Sequence, residues 1–549
     1  MFPRAKKSGK YAYLQIVENR WENGRTHQQV VASLGRLDRL VDSGKLDGLT
    51  RGLARLCKEV EIIDVMRDGD LRSTAVRKLG PALVFERLWR DLGIDAVLKR
   101  LSAGRRFGFD VERAVFLTVL HRLFASGSDR AAEKWREDYV IDGVGELALH
   151  QLYRAMGWLG EVLPETEQAG ATPFSPRCVK DLVEEALFVL SRDLFTTLDV
   201  VFFDTTSIYF EGEGGDTIGR RGKSKDHRPD LKQMVVGAVL DGQGRPVCCE
   251  LWPGNTTDVT TLVPIIERLR ARFDIGSICV VADRGMISAK TIAHIEAIEG
   301  MSYILGARLR KQKEVKIDVL SRGGRYREVY PKSSDPKAPS PLKVKEVFVE
   351  DRRYIVCHNE DQAQKDAADR KAIVAHLRDQ LKKGDKSLVG NKGYRRYLKT
   401  EARHFMIDED KIEAEARFDG KWVLRTNADL SPQDAALKYK QLWMVEQLFR
   451  TTKSVLETRP IYHKCDETIR GHVFCSFLAL VLKTELYERL EQKSRRYEWD
   501  DIRGDLEALQ ETELEVKAER WLVRTPLRGT CNDVLRAAGA AIPPTARRP

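Results

Sequence analysis

Strand-like alternation runs through residues 11–34, with Tyr11, Tyr13 and Gln15 on one side of Glu22-Asn23-Gly24 and Gln29 and Val31 on the other. Asn-Gly between two such runs is the strongest short hairpin signal, so a β-hairpin is predicted there. From about residue 72 to 195 the apolar positions recur at helical spacing, as in Pro81–Trp89 and Arg113–Leu120. The pattern changes at residue 196. Thr197–Phe203 is a continuous apolar run, suited to a strand buried on both faces. Leu231–Leu240 and Arg245–Leu251 flank Asp241-Gly242-Gln243-Gly244 as a second hairpin. An amphipathic helix (Asp258–Phe273), a buried strand (Ile278–Ala282), a helix (Ser288–Ile298) and a strand (Ser302–Ala307) follow. Three neighbouring strands, a crossover helix and further strands predict a mixed α/β sheet.

Residues 308–430 interrupt that order. They contain the loop Ser333–Pro341, strands at Lys343–Val349 and Tyr354–His358, a long helix near Gln362–Lys382, and strands near Ile412–Phe418 and Trp422–Arg425. The segment reads as an inserted, strand-rich subdomain. Ser431-Pro432 then opens a helix, with Ser as N-cap and Pro at the first helical position. Tyr439, Glu446 and Lys453 follow at intervals of seven. Successive members rotate by only about 20°, so a continuous helix places all three on one face. Asp466–Leu490 is apolar enough to be a core helix, and the tail carries a short helix near Asp533–Ala538. The expected divisions are an N-terminal hairpin region (1–70), a helical domain (71–195), the core in two parts (196–307 and 431–494), the insertion (308–430) and a C-terminal tail (495–549).

Composition narrows the partners. The chain has 549 residues, 42% hydrophobic and 32% charged, with a net charge of +11. That is ordinary globular composition, and the basic balance favours a polyanionic partner. The basic stretch Lys99–Arg106 lies between two predicted helices, where DNA contact and a solvated turn are equally open readings. Nine cysteines are scattered without a C-x-x-C pair, which predicts reduced buried thiols rather than a disulfide framework or zinc site. The N-terminus shows no apolar signal region, and runs such as Phe477–Leu482 are far too short to span a bilayer. A cytoplasmic, nucleoid-associated protein without a membrane partner is expected.

Three acids carry the chemistry. Asp204 ends the run Val200–Phe203, Asp283 ends Ile278–Ala282, and Glu446 lies mid-helix. Carboxylates just past buried strands are held rigidly while their oxygens stay reachable, and hard oxygen ligands suit divalent cations. Asp226, Asp230 and Asp258 sit in loops with no apolar strand before them, so rigid placement is not expected of them. His227, His463 and His472 are too far apart in sequence to suggest a zinc site.

The residues Phe203-Asp204-Thr205-Thr206-Ser207, Asp283-Arg284-Gly285-Met286 and Tyr439…Glu446…Lys453 resemble DDE transposases of bacterial insertion sequences. The resemblance is to the group with a ribonuclease H-like core, a β-strand insertion before the last acid, and a Y-(2)-R-(3)-E-(6)-K signature. Ser224–Gln233 and Pro253–Asp258 are similar to this group as well. Leu442 stands where the signature has arginine, and Arg450, one turn beyond Glu446, is the candidate to replace it. The resemblance covers residues 196–490 well and the N-terminal hairpin more loosely. It implies that Asp204, Asp283 and Glu446 bind two Mg²⁺ ions (with Mn²⁺ able to substitute) and cut and join DNA at phosphodiester bonds. It further implies double-stranded DNA as partner, both terminal inverted repeats and target, and a homodimer that pairs two ends. Tyr439, Lys453, Arg450, Arg284, Arg220, Arg221, Lys223 and Lys225 are the DNA-contact candidates, with Trp422 as a residue to stack on a flipped base. Two other readings stay open: a ribonuclease H-like nuclease without strand transfer, and a domesticated DNA-binding protein without catalysis.

Overall fold

A computed structural model describes all residues except 23–24, 55–70, 173–174, 192–199, 274–276, 287, 332–338, 383–393, 402–403 and 517–518. The N-terminal region is a three-stranded antiparallel sheet of β1 (Phe2–Ser8), β2 (Tyr11–Glu22) and β3 (Arg25–Arg36). The predicted hairpin is its second pair, with Glu22 opposite Arg25. Its Asn23-Gly24 turn lies outside the described residues.

Residues 71–195 are largely helical, but the expectation of helix at their start is corrected: β4 (Leu71–Lys78) is a strand. It pairs with a segment more than 400 residues away in the C-terminal tail, described below. The helices Gly80–Asp91, Ile94–Ser102, Val111–Phe124 and Leu149–Leu159 follow. Val111–Phe124 is buried along its whole length, packed against the 27-residue helix Asp466–Gln492. The helical domain and the second part of the core therefore share one hydrophobic cluster.

The central sheet is built on β5 (Val200–Tyr209), β6 (Gln233–Asp241), β7 (Pro246–Pro253), β8 (Ile278–Ala282) and β9 (Met301–Gly306). β5, β6 and β7 form an antiparallel meander, and β8 and β9 are parallel to β5, in the spatial order β7-β6-β5-β8-β9. This is the mixed sheet of a ribonuclease H-like core. The crossover helix Leu262–Phe273 covers one face and the helices of residues 432–492 the other. Adjacent cysteines show the pleat: Cys248 packs into the first layer and Cys249 into the second. Of the eight described cysteines, seven are buried and none is in a disulfide, as the scattered spacing predicted.

The 308–430 segment extends this sheet instead of standing apart from it. β10 (Arg327–Tyr330), β11 (Leu342–Val349), β12 (Arg352–His358) and β15 (Lys421–Thr426) continue it beyond β9, so nine strands form one sheet. The long helix Glu360–Lys382 and a small hairpin, β13 (Leu398–Glu401) and β14 (His404–Ile407), complete the segment. The strand expected at Ile412–Phe418 is instead the helix Glu409–Ala416, capped by Asp408. In the tail, β16 (Gln510–Val516), β17 (Glu519–Arg524) and β18 (Ala546–Arg547) form a four-stranded sheet with β4.

A buried ion network joins the helical domain to the core. Lys180, Asp181 and Glu184 of the Val179–Ser191 helix meet Arg268 and Arg272 of the crossover helix and Glu250 of β7. Arg272 Nη2 lies 2.5 Å from Glu184 and its Nη1 3.0 Å from Glu250. All six residues are fully buried, so each charge depends on its partners for solvation.

Candidate metal centre

β5 and β8 run parallel, and Phe203 pairs with Ala282. The next residue on each strand is an aspartate, so Asp204 and Asp283 emerge side by side, separated by about the ~4.8 Å between neighbouring strands. Asp204 is not at a strand end, as the apolar run suggested. β5 continues to Tyr209, and it is β8 that stops before its acid. Burial, with the charges of Asp283 and Asp258 nearby, pushes the Asp204 carboxyl up to about 6. Lys225 and the Thr205 N–H, which donates to Asp204 Oδ1 at 2.7 Å, act in the opposite direction.

Glu446 lies in the first turn of the helix Trp443–Ser454. The continuous helix expected through Tyr439, Glu446 and Lys453 is broken: Pro432–Lys440 ends, Gln441 and Leu442 turn, and a second helix begins. Leu442 is buried in the core, so this position serves packing and cannot present a cation. The second helix packs on β5 and β6 through Val445 and Phe449, which share a cluster with Phe202 and Ile208. Asp204 alternates with Phe203 and so points to the same side of the sheet as Phe202. Asp204 and the helix of Glu446 thus occupy one face, and the Glu446 side chain is exposed.

Tyr439 and Lys453 are both engaged within the protein. The Tyr439 hydroxyl donates to Asp283 Oδ1 at 3.1 Å, and burial beside that carboxylate raises the phenol's pKa. Gly306 makes room for this contact, since a Cβ there would fall 2.3 Å from the Tyr439 oxygen. Lys453 Nζ lies 2.7 Å from Asp226 Oδ1, and Arg459 Nη1 lies 2.5 Å from the same oxygen. Asp226 is almost fully buried, and its Oδ2 has no hydrogen-bond partner among the described residues. Sequence reasoning set Asp226 aside as a loop acid and did not single out Arg459. Arg459, not Arg450, shares the carboxylate with Lys453; the Arg450 side chain is exposed.

Asp258 is the second acid the loop argument set aside. Its Oδ1 accepts from the Thr205 hydroxyl at 2.7 Å and its Oδ2 lies 3.3 Å from Lys225 Nζ. Asp258 Oδ2 and Asp283 Oδ2 flank Gly285, at 3.8 and 3.9 Å from where its Cβ would stand. The loop does fix Asp258, because the short helical turn Asp258–Thr260 leads directly into the crossover helix. The remaining candidates are peripheral. Arg220, Arg221, Lys223 and Arg284 are exposed, and Arg220 donates to the carbonyls of Gly219 and Asp216. Trp422, on β15, packs against the hydrophobic core.

The histidines expected to lie apart come together in part. His463 Nε2 is 3.0 Å from His472 Nδ1 and 3.5 Å from Asp129 Oδ2. Arg122 Nη2 is 2.9 Å from the same His472 Nδ1, and His472 Nε2 lies 3.2 Å from the Thr458 carbonyl. A guanidinium at the ring nitrogen that a cation would need makes this a hydrogen-bonded joint between the helical domain and the core. Burial opposes charge on both sides: it holds His472 well below the usual histidine range, while Asp129, despite its own burial, is kept at about 2 by His463 and Arg122. His227 is exposed in its loop, away from this group.

The acid crevice fits divalent cations by donor chemistry. It gathers the carboxylate oxygens of Asp204, Asp258 and Asp283, and the Asp204 carboxyl is so poorly solvated that it holds its proton toward neutral pH without a cation. A family model described as "Transposase DDE domain" matches residues 196–482, and one described as "IS1634 family transposase, N-terminal domain" matches residues 3–65. No curated protein matches the chain. The DDE-domain match spans more than half of the sequence, and within it lie all three acids. The chain belongs to the DDE transposases of insertion sequences, DNA-acting enzymes of a family that uses divalent metal.

Proposed function

We propose that this transposase cuts its element from flanking DNA and joins the freed 3′ ends to a target, with Asp204, Asp283 and Glu446 holding two Mg²⁺ ions. The observation that carries this reading is the parallel pairing of Phe203 with Ala282, which sets Asp204 beside Asp283 on the face covered by the Glu446 helix. Bound ions of this kind supply Lewis-acid activation of an attacking oxygen and stabilisation of a leaving oxygen. The protein's part is placement. Tyr439 orients Asp283 through its hydroxyl, and Gly306 leaves the space for it. Lys453 and Arg459, gathered by Asp226, provide one positive charge beyond that carboxylate, matched to a single DNA phosphodiester. Arg220, Arg221 and Lys223 are exposed and positioned to follow the DNA backbone electrostatically. A homodimer that pairs two ends completes the reading.

The test uses DNA carrying both flanks of the gene, labelled at the junctions, with target plasmid and Mg²⁺. Cleaved ends that become joined to the plasmid support the proposal. Cleavage without joining supports a nuclease, and end-binding without either reaction supports a non-catalytic binder. Asp204→Ala, Asp283→Ala and Glu446→Ala are each expected to bind ends without cleaving them.

A further inference from the structure

β8 stops opposite Phe203, whereas β5 runs on to Tyr209. Among the described residues no strand pairs with β5 on that side between Asp204 and Ile208, before Ile461 closes it at Tyr209, and this open stretch borders Asp204 and Asp283. One side chain occupies it. Lys225 Nζ donates to the Thr205 carbonyl at 2.7 Å, and lies 3.0 Å from Thr205 Oγ1 and 3.3 Å from Asp258 Oδ2. The loop behind it is fastened by the Lys225 N–H, which donates to Ser207 Oγ at 2.7 Å. Thr205 in turn ties Asp258 to the same spot. Lys225 is also the strongest influence favouring the ionised form of Asp204.

We infer that Lys225 is a built-in counter-cation of the acid site, a positioning residue that offsets the repulsion among Asp204, Asp258 and Asp283 and weakens the binding of divalent ions in the absence of DNA. The inference rests on the proposed role of the acids. Lys225 itself is about one-third exposed, but its ammonium is fixed beside the buried Asp204 carboxyl, where it repels a dication more than it would in open water. An arriving phosphodiester adds a negative charge and restores the balance, so ion loading and DNA binding favour each other. The bland role for Lys225, a peg that only holds the loop, predicts the opposite response to its removal: the acids lose their support and ions bind more weakly.

The experiment is Mn²⁺ binding by the full-length protein without DNA, read from the free-ion electron paramagnetic resonance signal. Lys225→Met is expected to bind Mn²⁺ about tenfold more tightly than the wild type, or better. Lys225→Gln, which keeps a neutral N–H donor in the loop, is expected to do the same. Lys225→Arg, which keeps the charge, stays within about threefold of the wild type. Unchanged or weaker binding in both neutral variants overturns the inference. Asp204→Ala separates the two levels: if it leaves Mn²⁺ binding untouched, the assignment of the acids fails and the inference falls with it. If Asp204→Ala abolishes binding while the Lys225 variants match the wild type, only the inference fails.

Discussion

Replacing Asp204 by Asn removes a charge that the fold holds at a cost. Burial and the neighbouring acids push the Asp204 carboxyl from its ordinary 3.8 up to about 6. Two pKa units correspond to about 3 kcal/mol of unfavourable free energy once the group is ionised. The sign follows from linkage: a carboxyl whose folded pKa is raised favours the native state at low pH. That contribution is lost as pH rises from about 4 to about 6. Asn keeps the shape and can still accept the Thr205 N–H that now reaches Asp204 Oδ1 at 2.7 Å. In EDTA at pH 7.5, Asp204→Asn is therefore expected to melt above the wild type, by about 3–8 °C if the core unfolds as one unit. At pH 4 the two proteins are expected to melt together. Mg²⁺ raises the wild-type Tm and leaves the Asn variant unmoved, because an ion relieves a penalty that the variant no longer has. A variant no more stable than the wild type at pH 7.5, or one with an equal advantage at pH 4, refutes the reasoning.

Other substitutions separate function from stability. Glu446 is exposed, so Glu446→Gln should change stability by no more than about 0.5 kcal/mol while cleavage of labelled ends is lost. Tyr439→Phe removes the hydroxyl that orients Asp283 and should lower divalent affinity or cleavage by about 10- to 100-fold, read from Mn²⁺ titration and single-turnover cleavage. Arg272→Met leaves Glu184 and Glu250 buried without their shared partner and should cost about 3–5 kcal/mol, read by chemical denaturation; an unaltered midpoint would show that the network does not hold the two domains together.

Much of the core was legible because its strands are buried on both faces and therefore read as unbroken apolar runs. Ile278–Ala282 matches β8 residue for residue, and the hairpin at Asp241–Gly244 lies between β6 and β7. β4 was missed because its partner is β16 in the tail, and no local pattern reports a pairing across that distance. Glu409–Ala416 was misread because short amphipathic segments carry too few positions to separate the two periods, and the cap at Asp408 decided the matter. Seven-residue spacing carried Tyr439, Glu446 and Lys453 through a turn that it could not detect, since Gln441 and Leu442 are good helix residues.

The two aspartates stand out in the sequence through the strands that present them, and the pairing of Phe203 with Ala282 brings those strands together. Asp226 and Asp258 were set aside because a loop was equated with loose placement. Both are fixed by side chains from elsewhere, Lys453 and Arg459 in one case and Thr205 and Lys225 in the other. The nearest available signal was the run Ser224–Gln233, which the family resemblance included without saying which of its residues face the acids. Leu442 is resolved differently from the expectation of a displaced arginine. It belongs to the core, and the cation that joins Lys453 on the Asp226 carboxylate is Arg459.

The central claim is that Asp204, Asp283 and Glu446 together hold the ions. Anomalous scattering from Mn²⁺ in crystals of the protein bound to a cleaved transposon end tests it most directly. The account predicts two peaks at about 2.0–2.6 Å from carboxylate oxygens, with Asp204 and Asp283 contributing to a shared ion and Glu446 completing the set. Peaks at Asp129, His463 and His472 instead, or an acid crevice empty of manganese with DNA in place, would contradict it.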